Sequence, residues 1–201
     1  MTDVLASAVA EIRGCRLCAE ELPLGPRPVL TLSPQTRLLV VGQAPSATVH
    51  RSGIPFDSRS GDRLRGWLGI GLDQFLGNDR LGFMPMGFCY TGRSSAGGDN
   101  PPARICAPTW YPGLHRLLPE LELTLLIGQY AQAYYLGKRR KASLSRTVAA
   151  WRDYLPDFLP LPHPSWRNSG WLAGNPWFER DVLPELRGQV TRLLDLSANM
   201  W

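Results

Sequence analysis

Short apolar runs that end at a glycine are the feature that most constrains the fold of this chain. Residues 37–42 read Arg-Leu-Leu-Val-Val-Gly, and residues 123–128 read Leu-Thr-Leu-Leu-Ile-Gly. Nearly continuous apolar runs of this length are typical of strands that are buried on both faces of a parallel sheet. Two weaker runs, residues 81–88 and 159–162, predict two further strands, and Pro85 favours an irregular or edge position for the first of them.

Segments with a helical pattern lie between and around these strands. They cover residues 3–13, 62–75, 131–137 and 176–194. Strand, loop and helix therefore alternate, which predicts an α/β fold with a four-stranded, mostly parallel sheet. The 201 residues contain no convincing boundary, so we expect a single domain over residues 1–201.

Composition and charge narrow the classes of protein. Twenty-two Lys and Arg against 17 Asp and Glu give a net charge of +5, which permits binding to a polyanion without requiring it. The chain has no run of about 18 apolar residues, and its first fifteen residues carry acids and an arginine where an export signal has an apolar core. We therefore expect a cytoplasmic protein with no membrane partner. Dinucleotide and nucleoside-triphosphate binding lack support because neither GxGxxG nor GxxxxGK[ST] occurs.

Four cysteines form a second informative pattern. Cys15 and Cys18 are spaced C-x2-C, and Cys89 and Cys106 follow after a long gap. A disulfide framework is not expected without an export signal. Two thiols on one turn favour a four-cysteine metal centre of either zinc or iron–sulfur type, against the alternative of four unpaired buried thiols. Such a centre would be structural and would tie the first helix to the loop after the second strand.

The loops that leave the carboxyl ends of the strands are the expected place for a ligand. After the first strand, Gly42 lets the backbone approach a ligand closely, Gln43 offers an amide, and the N–H groups of Gln43 and Ala44 can donate to a ring carbonyl. An ordinary strand-to-helix turn is the alternative. Phe56 follows a proline in a polar loop, where its ring is either a plug of the core or a platform on which a flat heterocycle stacks.

The segment after the last strand contains a histidine between two prolines. His163 lies there beside a hydroxyl, a cation and an aromatic ring, and its imidazole can donate to a developing anion. Arg167 and Asn168 can meet phosphates, and Trp166 or Trp171 can wedge into a base stack. The sequence thus predicts a polar site at one edge of the sheet.

Taken in order, these motifs resemble the uracil-DNA glycosylase superfamily, and most closely its iron–sulfur branch, called family 4. The resemblance rests on GQAPS at residues 42–46, GIPF at residues 53–56, the cysteine set, and HPS at residues 163–165, and it extends over residues 12–179. The family has a three-layer α/β/α fold with a four-stranded parallel sheet, in agreement with the fold expected from the strands. It implies a monomeric, monofunctional DNA glycosylase of base-excision repair, which hydrolyses the N-glycosidic bond of a flipped deaminated base, uracil above all, in single- or double-stranded DNA.

The resemblance also implies roles for individual residues. It places the attacking water and the base against the first motif, a stacking ring at Phe56, and stabilisation of negative charge on uracil O2 at His163. The first motif comprises Gly42, Gln43, Ala44, Pro45 and Ser46, and the loop expected in the minor groove comprises Pro164, Ser165, Trp166, Arg167 and Asn168. The implied cofactor is a [4Fe-4S] cluster, with zinc as the fallback, held by Cys15, Cys18, Cys89 and Cys106.

The chain departs from the family in two respects. Family 4 has Glu where this chain has Gln43, and the branch that does read Gly-Gln has Asp where this chain has Ala44, so the motif has no carboxylate to activate water. Asp57 and Asp62 are the carboxylates nearest to this motif in the sequence. The second departure is Pro85, which stands where the family has an Asn that reads the pyrimidine edge. The missing carboxylate motivates a second hypothesis, a catalytically silent binder of damaged or single-stranded DNA. A third hypothesis is a hydrolase of free nucleosides.

Overall fold

A parallel sheet lies at the centre of the structure. The computed structural model describes residues 2–95 and 97–196. Within those ranges four strands pair in the order β2-β1-β3-β4, and every pair is parallel. The strands are β1 (Leu38–Val41), β2 (Leu81–Phe83), β3 (Leu123–Ile127) and β4 (Phe158–Leu161). The prediction of an α/β fold with a parallel sheet is confirmed, and β2 ends two residues before Pro85 at one edge of the sheet.

Nine α-helices in the described part of the chain surround the sheet. They are α1 (Thr2–Arg13), α2 (Ala47–Ser52), α3 (Arg59–Leu68), α4 (Leu72–Gly77), α5 (Cys106–His115), α6 (Gly128–Leu136), α7 (Leu144–Ala149), α8 (Ser169–Ala173) and α9 (Leu183–Leu193). No helix in these ranges is long and apolar enough to cross a membrane.

Two helix predictions need correction. The single helix expected over residues 62–75 is wrong, because α3 ends at Leu68 before Gly69, whose φ of 73° is left-handed, and α4 starts anew after Gly71. The closing helix is present but not uniform, since residues Phe178–Val182 form a π-helical turn that leads into α9. The helix expected from residue 131 begins at Gly128, directly at the end of β3.

Successive residues of each strand point to opposite faces of the sheet, and both faces are buried. Leu38 and Val40 pack in one cluster with side chains of α3, α4 and α9, whereas Leu39 and Val41 pack in another with side chains of α1, α5 and α6. Because all four of these residues are fully buried, helices must cover the sheet on both sides. The result is the three-layer α/β/α arrangement.

The strand order determines where a crevice forms. The chain leaves β1 towards β2 on one side and leaves β3 towards β4 on the other, so the two connections diverge between the central strands. In doubly wound sheets the ligand site lies at this point, outside the carboxyl ends of the strands.

Candidate active site

A cavity opens at the carboxyl edge of the sheet, and we call it the Phe56 cavity. It is lined by Val29, Gly42, Gln43, Ala44, Pro45, Ser46, Val49, Pro55, Phe56, Ser58, Ser60, Phe83, Pro85, Asp99 and His163. Its volume is about 100 Å³, several times the roughly 10–15 Å³ that a single water needs. It therefore suits one heterocyclic ring with its substituents.

Phe56 forms an aromatic wall of this cavity. Its ring packs on Phe75 and Phe83, with centroid distances of 6.3 and 6.0 Å, which fixes the plane that faces the cavity. The backbone of Phe56 has a φ of 56°, a left-handed conformation that is costly for a residue with a side chain. Gly61 permits this conformation, because a Cβ placed on Gly61 would lie 1.7 Å from the Phe56 carbonyl oxygen.

His163 lies at the same cavity, directly after β4 and Pro162. The Ser165 backbone N–H donates to His163 Nδ1 at 3.2 Å. Nδ1 is therefore an acceptor, and in the neutral ring the proton is on Nε2, which is left as a donor. Burial lowers the pKa of His163, which favours this neutral form.

The backbone around His163 is held by two side chains. Asn168 Nδ2 donates to the His163 carbonyl oxygen at 2.7 Å, so this side-chain amide holds the backbone of His163 in place. Arg63 on α3 donates to the Ser165 carbonyl oxygen at 2.9 Å. Pro164, which lies between His163 and Ser165 in the sequence, is buried. These contacts orient the imidazole; the role of Arg63 was not foreseen from the sequence.

Trp166 and Arg167 project from the loop after His163. The indole of Trp166 is 69% exposed, and the guanidinium carbon of Arg167 lies 5.7 Å from the centroid of its ring. An exposed indole backed by a cation suits contact with a base stack and a phosphate.

The first motif also lines the cavity, but the side chains of Gln43 and Ser46 are hydrogen-bonded to other parts of the protein. Gln43 Nε2 donates to the backbone oxygens of Asn100 and Asp99 at 2.8 and 3.3 Å. Ser46 caps α2 by accepting from the Val49 N–H at 3.3 Å. The amide of Gln43 is thus used to anchor a distant loop, an arrangement that its local sequence did not indicate.

Asp99 is the functional candidate that the sequence did not reveal. Among the described residues that line the Phe56 cavity, Asp99 is the one carboxylate. Although Asp99 is exposed on one side, partial desolvation raises its pKa, and this effect outweighs the opposing influence of Arg93 and Arg167. Asp57 does not line the cavity, and Asp62 pairs with Arg65 on α3. The only local hint of Asp99 was its place in the glycine-rich segment after the second strand.

The four cysteines line a second cavity, which we call the cysteine cavity. Cys15 follows α1, Cys18 precedes a short 3-10 turn, Cys89 follows β2, and Cys106 begins α5. Burial raises the pKa of the Cys106 thiol to about 12, although the Phe88 N–H donates to its sulfur at 3.4 Å. Within the described ranges, no three His, Cys, Asp or Glu side chains are grouped so as to hold a metal ion, even though all four thiols share this cavity.

A short segment connects the linings of the two cavities. Residues 85–89 run from Pro85 in the Phe56 cavity to Cys89 in the cysteine cavity. The Met86 and Gly87 N–H groups donate to the Gly42 and Gln43 carbonyl oxygens at 2.9 and 3.0 Å. The first motif is therefore tied to the cysteine cavity through main-chain hydrogen bonds.

Phe56 and His163 thus line one cavity at the carboxyl edge of a parallel sheet. A family model for the uracil DNA glycosylase superfamily matches residues 31–187, which include Gly42, Phe56 and His163. The chain belongs to the uracil DNA glycosylase superfamily. The match is to the superfamily as a whole and does not identify the iron–sulfur branch.

The structure can also be compared with solved ones. It is similar to the solution NMR structure of a candidate uracil DNA glycosylase from Methanosarcina acetivorans, with a TM-score of 0.47 and 18% sequence identity, over 82% of this chain and 94% of that one.

Proposed function

We propose that this protein is a DNA glycosylase that hydrolyses the N-glycosidic bond of a flipped deaminated base, uracil above all. The observation that carries the proposal is the Phe56 cavity, because Phe56 and His163 line the same ring-sized space. A base inside a duplex is out of reach of such a space, so it must first leave the stack.

Flipping costs a few kcal/mol, and this site has two means of offsetting that cost. A base stacked on the Phe56 ring gains about 1–3 kcal/mol. Trp166 is exposed and lies three residues after His163 in the chain. Its indole can fill the gap that the base leaves in the stack.

The chemistry falls to His163. As the C1′–N bond breaks, the sugar becomes cationic and the leaving base becomes an anion. The Nε2–H of a neutral imidazole, oriented through the Ser165 N–H to Nδ1 bond, donates to the base oxygen on which that charge develops. Such a preorganised donor contributes about 3–4 kcal/mol in other enzymes.

We also infer that the four cysteines bind a [4Fe-4S] cluster, with zinc as the alternative. The support is that four soft sulfur donors from three separate segments line one cavity. All-cysteine sites of this kind hold either an iron–sulfur cluster or zinc. If bound, the cluster would be held by Cys15 and Cys18 after α1 and by Cys89 and Cys106, and its iron–thiolate bonds would cross-link the end of α1 to the segment after β2 and to the start of α5.

Base release from oligonucleotides tests the proposed function. Single- and double-stranded DNA carrying uracil, hypoxanthine or xanthine is incubated with the protein and cleaved at abasic sites before electrophoresis. We expect release of uracil by the wild type and a loss of about 100- to 1,000-fold in His163→Ala. His115→Ala is the matched control, because His115 is also half-buried but lies at a different cavity and bonds Tyr135 at 2.8 Å.

Each contrary outcome has its own meaning. No release from any of the three bases contradicts the proposal. Salt-dependent binding to DNA without release would identify a catalytically silent binder. Activity on free nucleosides but not on DNA would identify a small-molecule hydrolase.

A further inference from the structure

Hydrolysis of a glycosidic bond needs a group that accepts the proton of the attacking water, and the first motif has none. Residues 42–46 contain no carboxylate. His163 is assigned to the departing base, so it does not serve as this acceptor. In the described structure the carboxylate that reaches the Phe56 cavity is Asp99, which comes from a loop more than 50 residues away in sequence.

We propose that Asp99 is the catalytic base of the hydrolysis and that Gln43 is the positioning residue that holds its loop at the cavity. This inference rests on the proposed glycosylase function. It assigns the carboxylate role to a segment outside the motif in which the family carries it.

The loop that presents Asp99 is closed on itself. Arg93 and Asp99 form an antiparallel bridge, and the Ser94 N–H donates to the Gly98 carbonyl oxygen at 2.8 Å. Asn100 closes the base of the loop, because its Nδ2 donates to the Thr91 carbonyl oxygen at 2.9 Å. Asp99 is therefore placed by a hairpin-like loop.

Gln43 joins this loop to the first motif. Its Nε2 contacts the carbonyl oxygens of Asp99 and Asn100, the carboxylate residue and the residue that closes the loop. The side chain that stands where family 4 has its glutamate thus holds the loop that brings another carboxylate to the same cavity.

A second clamp comes from the segment that carries His163. The guanidinium of Arg167 lies against the loop, where a Cβ on Gly97 or Gly98 would be 3.0 or 2.9 Å from its nitrogens. Both glycines also have left-handed φ angles, 80° and 93°. The two catalytic segments are therefore packed together at the cavity mouth.

The electrostatics suit a base. Asp99 keeps an exposed side to solvent, and partial desolvation at the cavity raises its pKa in spite of Arg93 and Arg167. A carboxylate with a raised pKa holds a proton more strongly and is a better general base than an ordinary aspartate.

The step balances as follows. The water oxygen bonds to C1′ while the C1′–N bond breaks. The electron pair of the C1′–N bond leaves with the base, and the His163 N–H stabilises the negative charge on that base. The proton of the water passes to the Asp99 carboxylate and is later released to solvent. The base anion takes a proton from solvent, so the products are the abasic sugar and the neutral base.

Single-turnover rates on uracil-containing DNA test the proposal. We expect Asp99→Asn to lower the rate by about 100-fold or more without changing DNA affinity, measured by fluorescence anisotropy. Sodium formate should partly restore Asp99→Ala, because a small free carboxylate can occupy the vacated place, and a merely structural role would not respond to it. Asp73→Asn, an exposed carboxylate on α4, should behave as the wild type.

Gln43 is tested by a double-mutant cycle. If Gln43 acts through Asp99, Gln43→Ala lowers the rate of the wild type but not that of Asp99→Asn. Additive losses would overturn the positioning role.

The remaining outcomes separate this proposal from the one on which it rests. A wild type that releases no base contradicts both the glycosylase function and the role of Asp99. An active wild type with Asp99→Asn within about threefold of it, or with Asp99→Ala indifferent to formate, overturns the role of Asp99 alone.

Discussion

A methyl group added at Gly61 would test how the Phe56 platform is built. A Cβ at this position would lie 1.7, 2.8 and 3.0 Å from the carbonyl oxygen, carbonyl carbon and Cβ of Phe56. The closest atoms belong to the backbone, so no change of rotamer relieves the clash. Gly61→Ala must therefore move the Phe56 backbone out of its left-handed conformation.

The magnitude follows from two opposing effects. Alanine is favoured over glycine in a helix by about 0.8–1 kcal/mol, but overpacking costs about 1–3 kcal/mol. Gly66 lies in the same helix and has open space where its Cβ would be, so Gly66→Ala has only the favourable effect. We expect the free energy of unfolding of Gly61→Ala to be about 1–3 kcal/mol lower than that of Gly66→Ala.

The displaced ring should also reduce activity. Loss of base stacking, worth about 1–3 kcal/mol, corresponds to about 5- to 150-fold in kcat/KM. Urea unfolding followed by circular dichroism gives the stability difference, and base release from uracil-containing DNA gives the rate. Equal stability and equal activity of the two variants would refute the reasoning, because the Phe56 backbone would then not depend on the missing Cβ.

Two further predictions concern His163 and the cysteines. Because burial lowers the pKa of His163, the folded state favours the neutral ring. The stability that this preference contributes should be lost as the pH falls from about 6.5 through the lowered pKa, and activity should fall around the lowered pKa itself. An NMR titration of the ring, assigned with His163→Asn, checks this, and a midpoint above 6.5 contradicts it. For the cysteine cavity, protein purified without oxygen should be brown, absorb near ~400 nm and contain about four irons per chain, and Cys106→Ser should lose the colour while Thr109→Ser on the same helix keeps it. Bound zinc or a colourless wild type would contradict the cluster.

Much of the fold could be predicted because the signal for buried parallel strands is local. The runs at residues 37–42 and 123–128 became the two central strands, since a strand covered on both faces must be apolar at nearly every position. The break between α3 and α4 also had a local signal, Gly69 and Gly71, but the apolar periodicity across residues 62–75 concealed it.

The contacts between loops could not be predicted in this way. Gln43 bonds a loop 56 and 57 residues away, and no periodicity in the sequence records such a pairing. The tautomer of His163 depends on the turn that brings the Ser165 N–H to Nδ1, and the conformation of Phe56 depends on an empty space at Gly61.

The sequence by itself determined the sheet, the order of the loops at its carboxyl edge, and the family that those motifs resemble. Only the tertiary structure decided which side chains meet at that edge, above all that Asp99 joins Phe56 and His163 at one cavity. The physical reason is that burial imposes a pattern on consecutive residues, whereas a site is assembled from loops whose meeting depends on how the whole chain closes around the sheet.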